Sequence, residues 1–189
     1  MRSLIIRPIQ AGFTLVELLI VVVIIAILAA IIVPQFSGAT RDAQEAALDA
    51  NLSGLRSAIE LYRAQHTGVY PGANVSSGGA GCIAPGAVGT GGVNSALAFT
   101  DQMLQYSNAA GQTCTTSNST FRFGPYYRRD RGIPPDPITN SAAIAAPQTT
   151  GAPLAPAAAT GGWAYDTVSG QIVMNSNALD SRGNAYSTH

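Results

Sequence analysis

The sequence predicts an α+β protein: one long amino-terminal helix whose first half crosses a membrane, then a loop-heavy domain containing a β-hairpin. Three observations carry this reading. Residues 13–33 are an almost unbroken apolar run of 21 residues. Beyond it, apolar residues continue at helical spacing to about residue 62. Much later, two alternating segments flank Ser169-Gly170, after a long stretch rich in Gly, Ala, Ser, Thr, Asn and Pro.

The apolar run comes first. At about 1.5 Å per residue it makes a helix of roughly 31 Å, the thickness of a hydrocarbon core of about 30 Å. Its one carboxylate, Glu17, costs about 2–3 kcal/mol or more at the bilayer centre and less near an end, so it asks for a cation. Ahead of the run, Met1–Gly12 carries Arg2 and Arg7 and no acid. The positive-inside tendency therefore keeps this segment in the cytoplasm and sends the rest across. An ordinary signal peptide has a shorter apolar region followed by a small-residue cleavage site. Ser37-Gly38-Ala39 is a weak version of such a site, and a cut after Ala39 stays open as the alternative.

The helix does not end with the membrane. Leu48, Leu52, Leu55, Ile59 and Tyr62 recur at steps of four, three, four and three, so they share one face, with Arg56, Glu60 and Arg63 elsewhere. Thr67-Gly68 is a C-terminal stop and Pro71 lies just beyond it. Residues 13–67 would make about 80 Å of helix, too long to bury itself. Alanines at 26, 29, 30, 39, 43, 46 and 47 permit close approach of neighbouring helices. Pro34 removes a backbone donor and predicts a kink or local loosening. The expected divisions are a leader (1–12), a membrane-spanning half (13–34), an amphipathic half of the same helix (35–68) and the loop-rich β domain (69–189).

In that domain Cys82 and Cys114 are the only cysteines. Beyond the membrane, in an oxidising compartment, they are expected to pair, stabilising by about 3–4 kcal/mol in the chain-entropy model. Two free thiols or metal ligands is the weaker alternative, because no histidine lies near them. Residues 121–131 mix four aromatics with four arginines. Side chains such as Arg122, Tyr126, Tyr127, Arg128, Arg129 and Arg131 can stack on bases while neutralising phosphates; packing and turn roles are the plainer account. Residues 142–161 hold little to bury and are expected as an extended surface loop. Trp163–Val168 and Gln171–Asn175 form the hairpin, with Trp163, Tyr165, Ile172 and Met174 in the core.

Charge and chemistry exclude several functions. The chain has ten arginines, no lysine and ten acids; loss of Arg2 and Arg7 with the leader leaves eight against ten, a balance of −2. No strong steering of nucleic acid follows. His66 and His189 have no nucleophile at a recognised spacing, and no phosphate loop or metal motif appears, so no enzyme is expected. His66 instead suits the helix C-terminus.

The order Gly12-Phe13-Thr14-Leu15-Val16-Glu17, the apolar run and Pro34 resemble the class III leader of type IV pilins and type II secretion pseudopilins. The resemblance covers about 12–70, more loosely to the end. It implies a pilin-like fold, with the long helix packed on a small antiparallel sheet. It implies that a prepilin peptidase cuts after Gly12 and that the new terminus, Phe13, is N-methylated. Glu17 and Pro34 then stand fifth and twenty-second in the mature chain (34 − 12 = 22). Glu17 would pair with the Phe13 ammonium of a neighbouring subunit, since unlike charges attract more strongly in a dry environment. Many relatives have glycine where this chain has Ala26, a better helix former by about 1 kcal/mol, which weighs against melting between Ala26 and Pro34.

Within the family, Leu55–Tyr62, Val69-Tyr70-Pro71, Gly124-Pro125-Tyr126 followed by Pro135-Asp136-Pro137, and the hairpin are most similar to major pseudopilins. The implied function is a filament subunit in protein export. A pilus-forming pilin, or a minor pilin binding DNA through the aromatic and arginine residues, is the alternative. Implied partners are further copies of the chain, minor pilins or pseudopilins, the peptidase, an assembly ATPase and an inner-membrane platform protein. The implied location is the bacterial inner membrane, single-pass with the C-terminal domain outside the cytoplasm, and then a periplasmic pseudopilus or a surface pilus. Some pseudopilins hold calcium in a carboxy-terminal loop; here Asn175, Asn177, Asp180 and Asn184 offer too few carboxylates for a confident oxygen-ligand site.

Overall fold

The computed structural model describes residues 13–189, and of residues 33–37 the backbone alone. The leader, with Gly12, lies outside the described residues, as does the side chain of Pro34. Helix α1 runs Leu15–Gln65, 51 residues, and position 34 is helical like its neighbours. Thr14 caps its start. The Thr14 Oγ1 accepts from Glu17 N–H at 3.2 Å, while Thr14 N–H donates to Glu17 Oε2 at 2.9 Å, a reciprocal capping box. At the other end Thr67 and Gly68 both have positive φ (55° and 87°), and Gly68 N–H closes on Arg63 O at 3.0 Å. That is the glycine-type stop expected there.

The chain forms two compact units, one ending at Arg41 and one spanning Asp42–His189. In the first, Leu15–Ile32 is long and apolar enough to cross a membrane, and none of it is buried. In the second, the predicted face of α1 is the backbone of the core: Leu48, Leu52, Leu55, Ile59 and Tyr62 are all buried. Against it pack Phe99 and Met103 of a short helix α2 (Ala96–Leu104), Trp163 and Tyr165 of β3, Ile172 and Met174 of β4, and Tyr186. Helix α2 begins where Ser95 Oγ accepts from Ala98 N–H at 3.0 Å.

Two small antiparallel ladders complete the α+β fold. Strand β1 (Tyr106–Ser107) pairs with β2 (Thr113–Cys114). Strand β3 (Trp163–Tyr165) pairs with β4 (Ile172–Met174), Trp163 opposite Met174 and Tyr165 opposite Ile172. The hairpin is where the alternation placed it, but its strands are shorter. Asp166 turns the chain early, its Oδ1 accepting from Val168 and Ser169 N–H at 2.7 and 2.8 Å. Gly170, at φ 71°, fits against the Tyr70 ring where a Cβ would collide.

Residues 142–161 are not all free surface loop. Trp163 N–H donates to Ala143 O and Ala145 N–H to Trp163 O, each at 2.8 Å, so the first part runs parallel along β3. Leu154 is also buried, against Ala164 and Val173. Cys82 and Cys114 are joined by a disulfide, tying the Gly-rich loop to β2.

Candidate functional site

The start of α1 presents an acid in an otherwise apolar exposed surface. Phe13, Leu15 and Val16 are 84%, 82% and 64% exposed. Among them Glu17 holds Thr14 twice through one oxygen, Oε2, which accepts from the backbone N–H at 2.9 Å and the hydroxyl at 2.8 Å. Thr14 therefore fixes the direction of the carboxylate. Its role went unread in the sequence, although Thr-x-x-Glu ahead of an apolar run is a recognised capping signal.

The aromatic and arginine residues divide between the core and the surface. Phe121 is buried, and Phe123 meets the His66 ring edge-on at 5.2 Å. The Tyr126 and Tyr127 N–H groups both donate to Met103 O at 3.0 Å, and Tyr126 Oη donates to Gln65 Oε1 at 2.7 Å. Tyr126 lies edge-on to Tyr62, and burial pushes its hydroxyl up to about 12. Arg128 pairs with Asp130, Arg129 donates to Thr115 O and Arg122 covers the Phe123 ring, while Arg131 lines one pocket together with Tyr127 and Arg128. Phe121 is buried and Phe123, Tyr126 and Tyr127 are half-buried, and through these contacts the segment packs against α1.

His66 is buried at the end of α1, stacked on Tyr62 with ring centroids 3.8 Å apart. Its Nδ1–H donates to Tyr62 O at 2.8 Å, which leaves Nε2 to accept from Ser107 Oγ at 3.0 Å. Burial lowers its pKa against the pull of its hydrogen bonds. A neutral, fully partnered imidazole ties α1 to β1.

Asn175 and Asp180, the calcium candidates, are engaged separately. Asn175 Nδ2 donates to Thr160 Oγ1 at 2.7 Å. Asp180 Oδ1 accepts from Arg182 and Asn184 N–H at 2.9 and 2.7 Å, and its Oδ2 faces His189 Nε2 at 3.3 Å. Among the described residues no group of three or more His, Cys, Asp or Glu can hold a metal ion. The carboxylate that calcium would need is occupied in closing a turn.

The comparisons bear on the start of α1. Residues 7–33 match the family described as the prokaryotic N-terminal methylation motif. The amino-terminal segment carries this methylation motif, and the curated relatives it matches are type IV pilus subunits and a type II secretion core protein. This pilin-like chain is 48% identical over 58 residues to the type IV narrow pilus major component PilA5 of Thermus thermophilus, covering 31% of the chain and 50% of that relative. It is 42% identical over 72 residues to a fimbrial protein of Neisseria meningitidis, covering 38% and 42%. To the type II secretion system core protein G of Pseudomonas aeruginosa it is 37% identical over 54 residues, covering 29% and 38%. The matches span half or less of the length of these relatives. No solved structure matches the chain.

Proposed function

We propose that the chain is a structural, non-enzymatic subunit of a type IV pilus-like filament, most similar in kind to a type II secretion pseudopilin. The observation that carries this is the start of α1: a methylation-motif leader, then an exposed apolar helix with a single acid four residues past Phe13. In this reading a prepilin peptidase removes residues 1–12 after Gly12 and Phe13 is N-methylated. The helix then holds the subunit in the inner membrane, its C-terminal domain outside the cytoplasm.

Assembly moves the apolar surface from lipid to copies of the same helix. Glu17 drives the register, because an unpaired carboxylate in that apolar surface is costly and the terminal ammonium of an adjacent Phe13 relieves it. Pro34 stays at the membrane-distal end of the span. The ATPase, the platform protein and minor subunits supply energy and initiation. A pilus-forming role is the second reading, favoured by the higher identity to pilus subunits than to core protein G.

The test is to express the chain with and without a prepilin peptidase and take the intact mass and amino-terminal sequence of the membrane-bound product. Loss of Met1–Gly12 with a methylated Phe13 supports the reading. An uncut leader, or a cut after Ala39, defeats it. In the native host, loss of secretion with surface filaments intact would favour the pseudopilus, and the reverse the pilus.

A further inference from the structure

The extended segment beside β3 has two edges, and only one is used. Ala143 O, Ala145 N–H and Gln148 N–H bond to β3, at 2.8, 2.8 and 2.9 Å. Successive backbone groups of an extended chain point in opposite directions, so the N–H and C=O of Ile144 face away from β3. Among the described residues neither makes a hydrogen bond.

Helix α2 and residues 142–144 of this segment border one cavity. Between them is a groove of about 490 Å³, lined by Leu97, Thr100, Leu104, Ile133 and Ile144, with Arg131 at its rim. Its lining is apolar except for Thr100 and Arg131, and Leu97 is 50% exposed. Where Arg128 has Asp130 and Arg129 has a carbonyl, the Arg131 guanidinium has no ion pair or hydrogen bond among the described residues. It also lines a second, adjoining pocket with Tyr127, Pro134 and Arg128, whose own charge is paired with Asp130.

We propose that this edge and groove form a docking surface for an extended, acidic and apolar peptide segment of another protein. The three features select one chemistry. An unpaired donor and acceptor on an extended chain match another extended backbone, which adds as a short parallel or antiparallel strand. The groove takes the side chains of alternate residues, which must be apolar. The unpaired guanidinium takes a carboxylate at the end of the segment, where its planar fork binds two oxygens at once. Pro147 carries no N–H and limits the usable edge to a few residues, so specificity comes from the groove and Arg131. The proposal does not depend on the filament reading.

The test uses the full chain in detergent micelles and a fluorescein-labelled peptide, Val-Thr-Val-Thr-Val-Glu-Glu, followed by anisotropy against empty micelles. Saturable binding is expected, weakened about tenfold or more by Arg131→Glu and by replacing the peptide's two glutamates with lysines, the scale of a lost, partly desolvated charge pair. N-methylation of alternate peptide amides should abolish it. Leu97→Glu, at an exposed site that leaves the core untouched, should do the same with unchanged melting. No saturable binding to the wild-type chain overturns the proposal, as does equal binding of the N-methylated or lysine peptide. Self-association that competes with the peptide would make a second copy the occupant and likewise overturn it.

Discussion

Asp136→Asn is the sharpest test of how this domain holds its loops. Asp136 is fully buried in the Pro135-Asp136-Pro137 turn and accepts five hydrogen bonds. Its Oδ1 takes Ile138 and Thr139 N–H at 3.0 and 2.6 Å; its Oδ2 takes Thr139 Oγ1, Ser141 N–H and Gly162 N–H at 2.5, 3.2 and 2.8 Å. Asparagine keeps the shape and one acceptor oxygen. Its NH2 then faces the Ser141 and Gly162 N–H groups, donor against donor, while the Thr139 hydroxyl can rotate to accept. The buried Gly162 N–H left without a partner, the half-buried Ser141 N–H left to water, and the loss of charge assistance together cost about 2–4 kcal/mol. For a domain of this size that is a fall in Tm of about 4–16 °C.

The same carboxylate fixes the pH dependence. Burial alone would raise its pKa, but the hydrogen bonds from Thr139, Gly162 and Ser141 outweigh it and the net shift is downward. Its stabilisation is therefore complete above the unfolded value near about 3.9 and disappears as pH falls through the lower folded value. Thermal melts of wild type and Asp136→Asn in the same detergent, from pH 7 downward, should differ most at neutral pH and converge in strong acid. A Tm difference below 2 °C at pH 7, or one that stays constant through the acid range, would refute the reasoning.

Four further outcomes are expected. Glu45→Ala removes the acceptor of Ser181 N–H, Ser181 Oγ and Tyr186 Oη, so residues 178–189 should gain fast hydrogen exchange while the hairpin does not. Cys82→Ser with Cys114→Ser should cost about 3–4 kcal/mol, read as a lower denaturation midpoint that reductant reproduces in wild type. Gly54→Ala places a Cβ 2.8 Å from Tyr127 Oη, cancelling the gain of about 1 kcal/mol in helix propensity; combined with Tyr127→Phe the alanine should become stabilising, measured as a double-mutant cycle. His66 has a lowered pKa in the folded chain, so it should make stability decline as pH falls below about 6.5, and His66→Gln should flatten that slope in melts between pH 7 and 5.

What the sequence revealed follows from how often each pattern repeats. The face of α1 shows in the sequence because five residues keep a helical period, and the hairpin because residues alternate on both sides of one turn. Helix α2 offers two turns only, behind a Gly-rich stretch; Ser95 as a cap was the available sign. Strands of two residues, such as β1 and β2, have no period to read. Residues 142–148 join β3 mainly through backbone groups, with Ile144 alone packing on the core, so their alanines announce nothing. Most opaque are the loop-binding side chains, because no sequence tells which distant N–H a buried acceptor meets. Asp101 holds Ser76 Oγ and the Thr90 N–H, and Asp166 holds Thr150 and Gly151 N–H. The aromatic and arginine run divides in a way composition does not announce: Phe121 is buried, Phe123 and Tyr126 pack on His66 and Tyr62, and Tyr127, Arg128 and Arg131 share one pocket.

These acceptors also explain how so small a core sustains so many loops. Asn51 and Gln44 of α1 donate to Pro135 O and Pro137 O, and Trp163 Nε1–H to Pro134 O, so carbonyls of the proline-rich segment find partners. A domain tied in this way can remain folded while α1 exchanges one apolar environment for another. The proposed assembly asks such an exchange of the first unit. Between Phe13 and Ile32, 15 large apolar side chains are exposed. At about 1.5–3 kcal/mol for each one buried, the free energy at stake is tens of kcal/mol. No single copy in water can meet such a cost, and Glu17 among them cannot be buried without a cation. Lipid satisfies the apolar residues but not the acid, which is why the proposed assembly turns on supplying Glu17 with a cation.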